Sequence, residues 1–349
     1  MTIKSGIAHV AGLYPTSSSF VTLGANAIKA LGPNSKTIKL FFTSDYATKY
    51  PNQTGWGTVA NMVDLASSTP MATVLGDAQF TDYFINVFPW WSNWAATSLT
   101  NYWVNSPVVN DASSSVTFAT ILTNETTAMQ NLAAHLLTTY AGTGKRFVLQ
   151  NWEGDWSLLN AFDANATAKA DWAMRMANVY QARARGVAAA RAASSAIGVS
   201  VEFAVEVNRT LDGGRRVHRD VLPYVPHDRV SWSAYEGLTY ADVMSSGSIT
   251  AARTAIDYNM RRFNAEIRKY SSAPIYIGEF GWPEAEFNTT TYPPGDLIQQ
   301  VLETGDALGW THAVYWQIYD NSDPYRGFAL IKADSTDTYA GMKFRAVFA

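Results

Sequence analysis

The sequence contains no cysteine, which excludes disulfides, thiolate metal sites and a cysteine nucleophile. Charge is scarce and nearly balanced, with 26 Lys and Arg against 29 Asp and Glu and a formal net charge of −3. Without a basic excess to neutralise phosphates, nucleic acid is not expected as a partner. No apolar run reaches the roughly 18 residues of a membrane span, so no membrane-embedded segment is expected either. His9, His135, His218, His227 and His312 show neither H-x-H nor H-E-x-x-H spacing. That removes the usual zinc-hydrolase signatures, and no metal or other cofactor is implied. The first six residues lack the apolar stretch of a signal peptide, so the chain reads as cytoplasmic, or as secreted or periplasmic with its leader removed. Asn-x-Thr sequons at Asn52, Asn124, Asn165, Asn208 and Asn288 are compatible with secretion, although a threonine-rich sequence generates such triplets by chance. No pattern specifies an oligomeric state.

What is present is apolar and aromatic. The 349 residues are 47% hydrophobic, enough for a large core, and include 12 Trp and 18 Tyr. Short apolar runs at 7–13, 37–43, 83–88, 147–152, 199–207, 230–235, 275–279 and 313–318 read as eight strands. Segments of helical period lie between them, at 20–31, 59–66, 119–140, 167–193, 216–224, 249–270 and 294–308. Strands alternating with helices pair in parallel through right-handed crossovers, and eight such units close on themselves. The expectation is α/β, a single (β/α)8 TIM barrel over residues 1–349.

Turn chemistry marks the strand starts: Gly32-Pro33-Asn34, Gly142-Thr143-Gly144 and Ser271-Ser272-Ala273-Pro274. The long excursions follow strand ends instead, at 89–115, 237–248 and 281–295. In such barrels the loops at the C-terminal face build the active site. Here they carry Trp90, Trp91, Trp94, Tyr102, Trp103, Trp156 and Trp282. Aromatic faces suit the axial C–H bonds of a pyranose, which makes a carbohydrate the expected partner.

The strongest local feature is Ile275-Tyr276-Ile277-Gly278-Glu279-Phe280-Gly281-Trp282-Pro283. A carboxylate ends a buried apolar run, with a glycine on each side to allow close approach. Alternation puts Ile275, Ile277 and Glu279 on one face, so inward isoleucines would bring the carboxylate to the barrel mouth. Hydrolysis of a glycoside needs a second carboxyl group. Glu153, in Gln150-Asn151-Trp152-Glu153-Gly154-Asp155-Trp156, is the first candidate, with Asn151 on the same side of the run. Asp155 is its rival. Strand five offers Glu202 and Glu206 on one face, opposite Phe203, Val205 and Val207. Glu206 could bind sugar hydroxyls or replace Glu153 as the acid, with an ion pair to a neighbouring arginine as the alternative.

These residues resemble the clan A glycoside hydrolases, retaining enzymes whose (β/α)8 barrels place a nucleophilic Glu after strand seven and an acid/base Glu after strand four. In that likeness Glu279 takes the nucleophile position and Glu153 the acid/base position. The resemblance further implies that Tyr235 hydrogen-bonds the nucleophile and that Trp316 floors the sugar site. Asn151, Trp156, Trp282 and Glu206 are the remaining expected sugar contacts. Two features depart from the pattern: Trp152 separates Asn151 from Glu153, which are usually adjacent, and Lys39 stands where an arginine commonly lies beside the nucleophile. A lysine supplies charge without the bidentate fork, and a surface lysine at the strand start is the alternative.

Two weaker motifs resolve as turns. Gly142-Thr143-Gly144-Lys145 lacks the first glycine and the closing Ser/Thr of a phosphate loop and precedes a strand. Asp320-Asn321-Ser322-Asp323 lacks the glycine of a calcium loop. The expectation is a glycosidase cleaving a polysaccharide or oligosaccharide, with internal cleavage suggested by the long aromatic loops, and with a transglycosylase or a non-catalytic glycan-binding barrel as alternatives on the same fold.

Overall fold

The computed structural model describes residues 3–10, 20–88, 90, 118–155, 158, 168–210, 216–239, 243–286, 288–322 and 325–349. Eight parallel strands run in sequence order: β1 (Lys4–Ala8), β2 (Thr37–Phe42), β3 (Asp82–Val87), β4 (Lys145–Gln150), β5 (Val199–Val207), β6 (Arg229–Ser233), β7 (Ile275–Phe280) and β8 (His312–Tyr315). β8 pairs with β1, so the sheet closes and the expected (β/α)8 barrel is the fold. The main helices, Phe20–Lys29, Phe118–Thr139, Ala168–Ala193, Ile249–Ile267 and Pro294–Ala307, lie between strands as the periodicity predicts. Further helices at Thr69–Gly76 and Tyr339–Phe348 were not anticipated, and the segment 216–224 splits into Val217–Asp220 and a 3-10 turn at Leu222–Tyr224. Pro223 cannot continue the first of these, because it has no N–H to give.

Several strand ends move. β1 starts at Lys4, where its pairing with β8 begins, and includes Gly6, where an added Cβ would sit 2.5 Å from Thr37 Cγ2. β4 ends at Gln150, β6 at Ser233 and β8 at Tyr315. Glu153, Tyr235 and Trp316 therefore stand beyond the strands, in the first residues of the βα loops.

The barrel interior is layered. At the N-terminal end Asp82 pairs with Lys4 at 3.0 Å and Arg146 at 3.1 Å, while Arg229 pairs with Glu202. Ala8, Phe84, Val148, Ala204, Tyr276 and Val314 form an apolar plug above them. The outward faces of the strands, Phe203, Val205 and Val207 among them, join one large core beneath the helices. Burying both faces explains the near-continuous apolar runs.

β7 corrects the expectation about parity. Ile275 and Ile277 face the helices, and Tyr276 faces the interior. Unbroken alternation would then send Glu279 outward. Instead β7 carries one extra residue against both neighbours: Trp232 and Ser233 pair with Ile277 and Glu279, and Ala313 and Tyr315 with Ile277 and Phe280. This bulge turns Glu279 inward and Phe280 outward to the helix-side core. Gly278 makes it possible, since a Cβ there would lie 2.0 Å from Ser231 Oγ and 2.5 Å from Glu206 Oε2. Gly278→Ala should therefore destabilise the barrel by about 1–3 kcal/mol. Urea midpoints check this, and an unchanged midpoint would show that the bulge tolerates a side chain.

Candidate active site

At the centre of the mouth stands Lys39, wholly buried on β2. Its Nζ donates to Glu279 Oε1 at 2.8 Å, to the Gly278 carbonyl at 3.1 Å and to Glu206 Oε2 at 3.2 Å. Burial alone would favour the neutral amine, but the charges of Glu206 and Glu279 and the hydrogen bonds to both outweigh it. The ammonium is held above the ordinary lysine range. The surface alternative for Lys39 does not hold.

Glu206 gathers the surrounding donors. Its Oε2 also accepts from Gln150 Nε2 at 2.6 Å and Ser231 Oγ at 2.7 Å, and its Oε1 accepts from the Glu153 backbone N–H at 3.2 Å. Tyr276, at the top of the plug, donates its hydroxyl to Gln150 Oε1. Glu206 is fully buried and holds the site together from behind the cavity wall, so the structure does not place it as a sugar contact or as the acid.

Glu153 and Glu279 do line one cavity, of about 520 Å³, together with Ser233, Tyr235, Trp152 and Trp316. Glu153 accepts a hydrogen bond from Ser233 Oγ and has a left-handed backbone, φ 26°. Burial pushes its carboxyl up to about 8, the charge of Glu279 adds to this, and the Ser233 hydroxyl opposes it. Burial also raises Glu279, to about 7, with Lys39 opposing. The two carboxyl groups thus differ in environment: one lies beside a cation, the other beside a hydroxyl and a like charge.

Tyr235 opens the short helix Tyr235–Leu238 and lines the cavity, its ring edge-on to Phe328 at 5.8 Å. Burial and the charges of Glu279 and Glu153 keep its phenol protonated, well above the usual range. Glu279 accepts from Lys39 at 2.8 Å, and the side-chain amide of Asn86 also lowers its carboxyl by hydrogen bonding; among the described residues no hydrogen bond to it comes from Tyr235. Trp316 lies against Phe41 at 5.8 Å, Phe41 stacks on Phe88 at 5.8 Å, and Phe88 meets Trp152 at 6.4 Å. One wall of the cavity is therefore aromatic. Farther along the same loops, Tyr46 and Trp90 have parallel rings at 6.3 Å.

Three expected sugar contacts are displaced. Trp282 is wholly buried in the helix-side core, edge-on to Phe280 at 5.9 Å, because the bulge reverses the parity that would have brought it to the mouth. Asn151 is buried with both ends of its amide on the Glu206 main chain, accepting at 2.9 Å and donating at 3.0 Å. Glu206 is the third. Trp156 lies outside the described residues, as do Trp91, Trp94, Tyr102 and Trp103. Asp155 is no acid candidate: its oxygens accept backbone N–H groups from Asn208 at 2.9 Å, Arg209 at 3.1 Å and Val217 at 2.8 Å. Asp320 likewise serves the main chain, accepting from Ser322, Arg326, Gly327 and Phe328, and so builds the rim after β8. Asn208, read as a sequon asparagine, is buried and borders the cavity.

Sequence reasoning missed Ser231, Ser233 and Gln150. Their inward register on β6 and β4 was available from alternation with Trp232 and Leu149, but small polar residues in apolar runs carry no signature of their own.

No protein-family model matches the chain, and no curated protein matches it in sequence. Solved structures do resemble it. A GH5-4 broad-specificity endoglucanase from Clostridium acetobutylicum aligns over 100% of this chain and 97% of its own, with TM-score 0.56 and 10% identity. A GH5 xyloglucan-specific endo-β-1,4-glucanase from a metagenomic library, solved with cellotriose, aligns over 99% and 96%, with TM-score 0.58 and 12% identity. Endo-glycoceramidase II from a Rhodococcus species aligns over 99% and 78%, with TM-score 0.53 and 13% identity. At these identities the likeness establishes the fold.

Removing Lys39 would leave Glu206 and Glu279 buried together without a cation. Lys39→Met should cost about 3–5 kcal/mol of stability in urea unfolding. Loss of less than about 1 kcal/mol would show the two carboxylates to be compensated in some other way.

Proposed function

We propose that this chain is a retaining glycoside hydrolase that cleaves β-linked glucan chains internally, with Glu279 as nucleophile and Glu153 as acid/base. The observation that carries the reading is the pair of carboxyl groups on one cavity, one beside a buried ammonium and the other pushed up by burial and by its partner's charge. An aromatic wall beside them suits a sugar face. A cavity of about 520 Å³ is ample for the sugar at the point of cleavage. Endoglucanases among the structures of like fold, one holding cellotriose, favour a β-glucan and internal cleavage.

In the first step a Glu279 oxygen bonds to the anomeric carbon as the bond to the leaving oxygen breaks, and Glu153 gives that oxygen its proton. Glu279 becomes a neutral ester, and Lys39 keeps its pairing with Glu206. In the second step the Glu153 carboxylate takes a proton from water, whose oxygen bonds to the anomeric carbon and releases Glu279. Tyr235 offers a protonated hydroxyl beside both carboxyl groups. Trp152 and Trp316 hold the ring against the wall.

The decisive measurement is NMR of the first product released from cellotetraose or a soluble β-glucan. Retention gives the β-anomer first; the α-anomer, or no reducing ends at all, overturns the reading. Glu279→Gln should lower turnover by about a thousandfold or more while sparing binding. Glu153→Gln should cost roughly 10²–10⁴-fold with a natural leaving group.

The pH profile follows from the two environments. Glu279 must be ionised, so activity rises with pH as its proton leaves, near 7. Glu153 must be protonated, so activity falls as its proton leaves, near 8. A bell with its maximum between these limits is expected in kcat/KM. Ser233→Ala removes the hydroxyl that opposes the rise at Glu153, so the alkaline limb should move to higher pH. A shift to lower pH would contradict the assignment of that limb.

A further inference from the structure

We propose that Asn208, at the end of β5, is the substrate-positioning amide of this site, its Nδ2 donating a hydrogen bond to a hydroxyl of the sugar held between Glu153 and Glu279. The inference rests on the hydrolase reading and extends it to a residue that no motif marks.

Three amides reach the mouth from β4, β5 and the turns that follow them, and two are fully occupied. Gln150 donates to Glu206 and accepts from Tyr276. Asn151 donates to and accepts from the Glu206 main chain. Asn208 differs. Its Oδ1 accepts the Asp155 backbone N–H at 3.1 Å, while its own N–H donates to Asp155 Oδ2 at 2.9 Å. A backbone N–H can only donate, so the atom it meets must be the amide oxygen, and the side chain has one orientation. Among the described residues Nδ2 has no acceptor. Asn208 is 4% exposed, and the cavity containing Glu153 and Glu279 is the space it borders.

An NH2 group on a buried side chain, fixed at its oxygen end and open to a cavity, is a preorganised donor. The reciprocal bonds to Asp155 hold it, so little side-chain freedom is lost when a ligand arrives. Leaving it without an acceptor is unfavourable in a dry site, which penalises a sugar lacking the matching hydroxyl. Hydroxyl contacts near the anomeric carbon strengthen in the transition state of glycoside cleavage, so the effect should fall on kcat/KM through kcat.

The test uses 2,4-dinitrophenyl β-cellobioside and its monodeoxy analogues at the glucosyl unit bearing the aryl group, with the full chain and its Asn208→Ala variant. For the unsubstituted chain, one analogue should fall roughly tenfold or more below the parent in kcat/KM. In Asn208→Ala the parent should fall by a similar factor, and the penalty for that one analogue should vanish while the others persist. The ratio between two substrates within one preparation does not depend on how much protein is correctly folded. A variant that fails to refold fully therefore still decides the question. If every penalty survives in Asn208→Ala, or no analogue is penalised in the unsubstituted chain, Asn208 does not touch the sugar, and the hydrolase reading stands without it. If the unsubstituted chain releases no dinitrophenol from the parent, the β-glucan hydrolase reading falls and carries this inference with it.

Discussion

A lysine without water around it must find acceptors for three N–H bonds and negative charge for one cation, and the barrel mouth is arranged around how Lys39 does so. Two carboxylates and one carbonyl meet its Nζ between 2.8 and 3.2 Å. Two negative charges then face one positive charge in a dry space, and the surplus is felt by the next carboxyl group along. Glu153 is held protonated after burial chiefly by the charge of Glu279, and in smaller part by Glu206. The lysine that opposes the rise at Glu279 leaves the rise at Glu153 largely in place, because it is shared with Glu206 and does not cancel the pair.

This sharing explains why a lysine serves where the resembling barrels commonly carry an arginine. A guanidinium presents a flat fork that suits one carboxylate held side-on. An ammonium directs three donors apart, and here they go to strands five and seven at once: Glu206 on β5, Glu279 and the Gly278 carbonyl on β7. The convergence requires Gly278 and Glu279 to face inward together, which only the bulge on β7 allows. It also requires Gly278 to have no side chain, since Ser231 and Glu206 occupy the place where a Cβ would lie. Lysine, glycine, bulge and second carboxylate form one solution.

The architecture was legible in the sequence because a fully covered parallel sheet writes itself as apolar runs separated by helical periods. The candidate nucleophile was legible as a carboxylate between glycines at the end of such a run. Its orientation was not. Strict alternation from inward isoleucines points Glu279 to the mouth, yet the isoleucines face outward and the extra residue reverses the sign. Trp282 was expected at the mouth because it lies in the loop after the strand, yet it follows the bulge into the helix-side core. Asn151 was placed on the right element but in the wrong role, because a sequence does not show whether an amide is occupied by main chain from a strand more than 50 residues away. Tyr235 and Trp316 were found as residue types and assigned to strands that end before them.

The unusual spacing of Asn151 and Glu153 has a geometric origin in the loop after β4. Asn151 clamps the main chain of β5 at Glu206, and Asp155 clamps the residues after β5 at Asn208 and Arg209. Between these fixed points the chain must deliver one side chain to the cavity and one backbone N–H to Glu206 Oε1. Glu153 does both, at a left-handed φ of 26° that is unfavourable for a residue with a Cβ. The intervening Trp152 fills the turn and places its ring on the aromatic wall beside Phe88. With Asn151 held on β5, the two residues that follow it carry the chain around the turn and bring the Glu153 carboxyl group to Ser233. The spacing thus goes together with the asparagine's use as a clamp, and the amide that borders the cavity is instead Asn208, directly after β5.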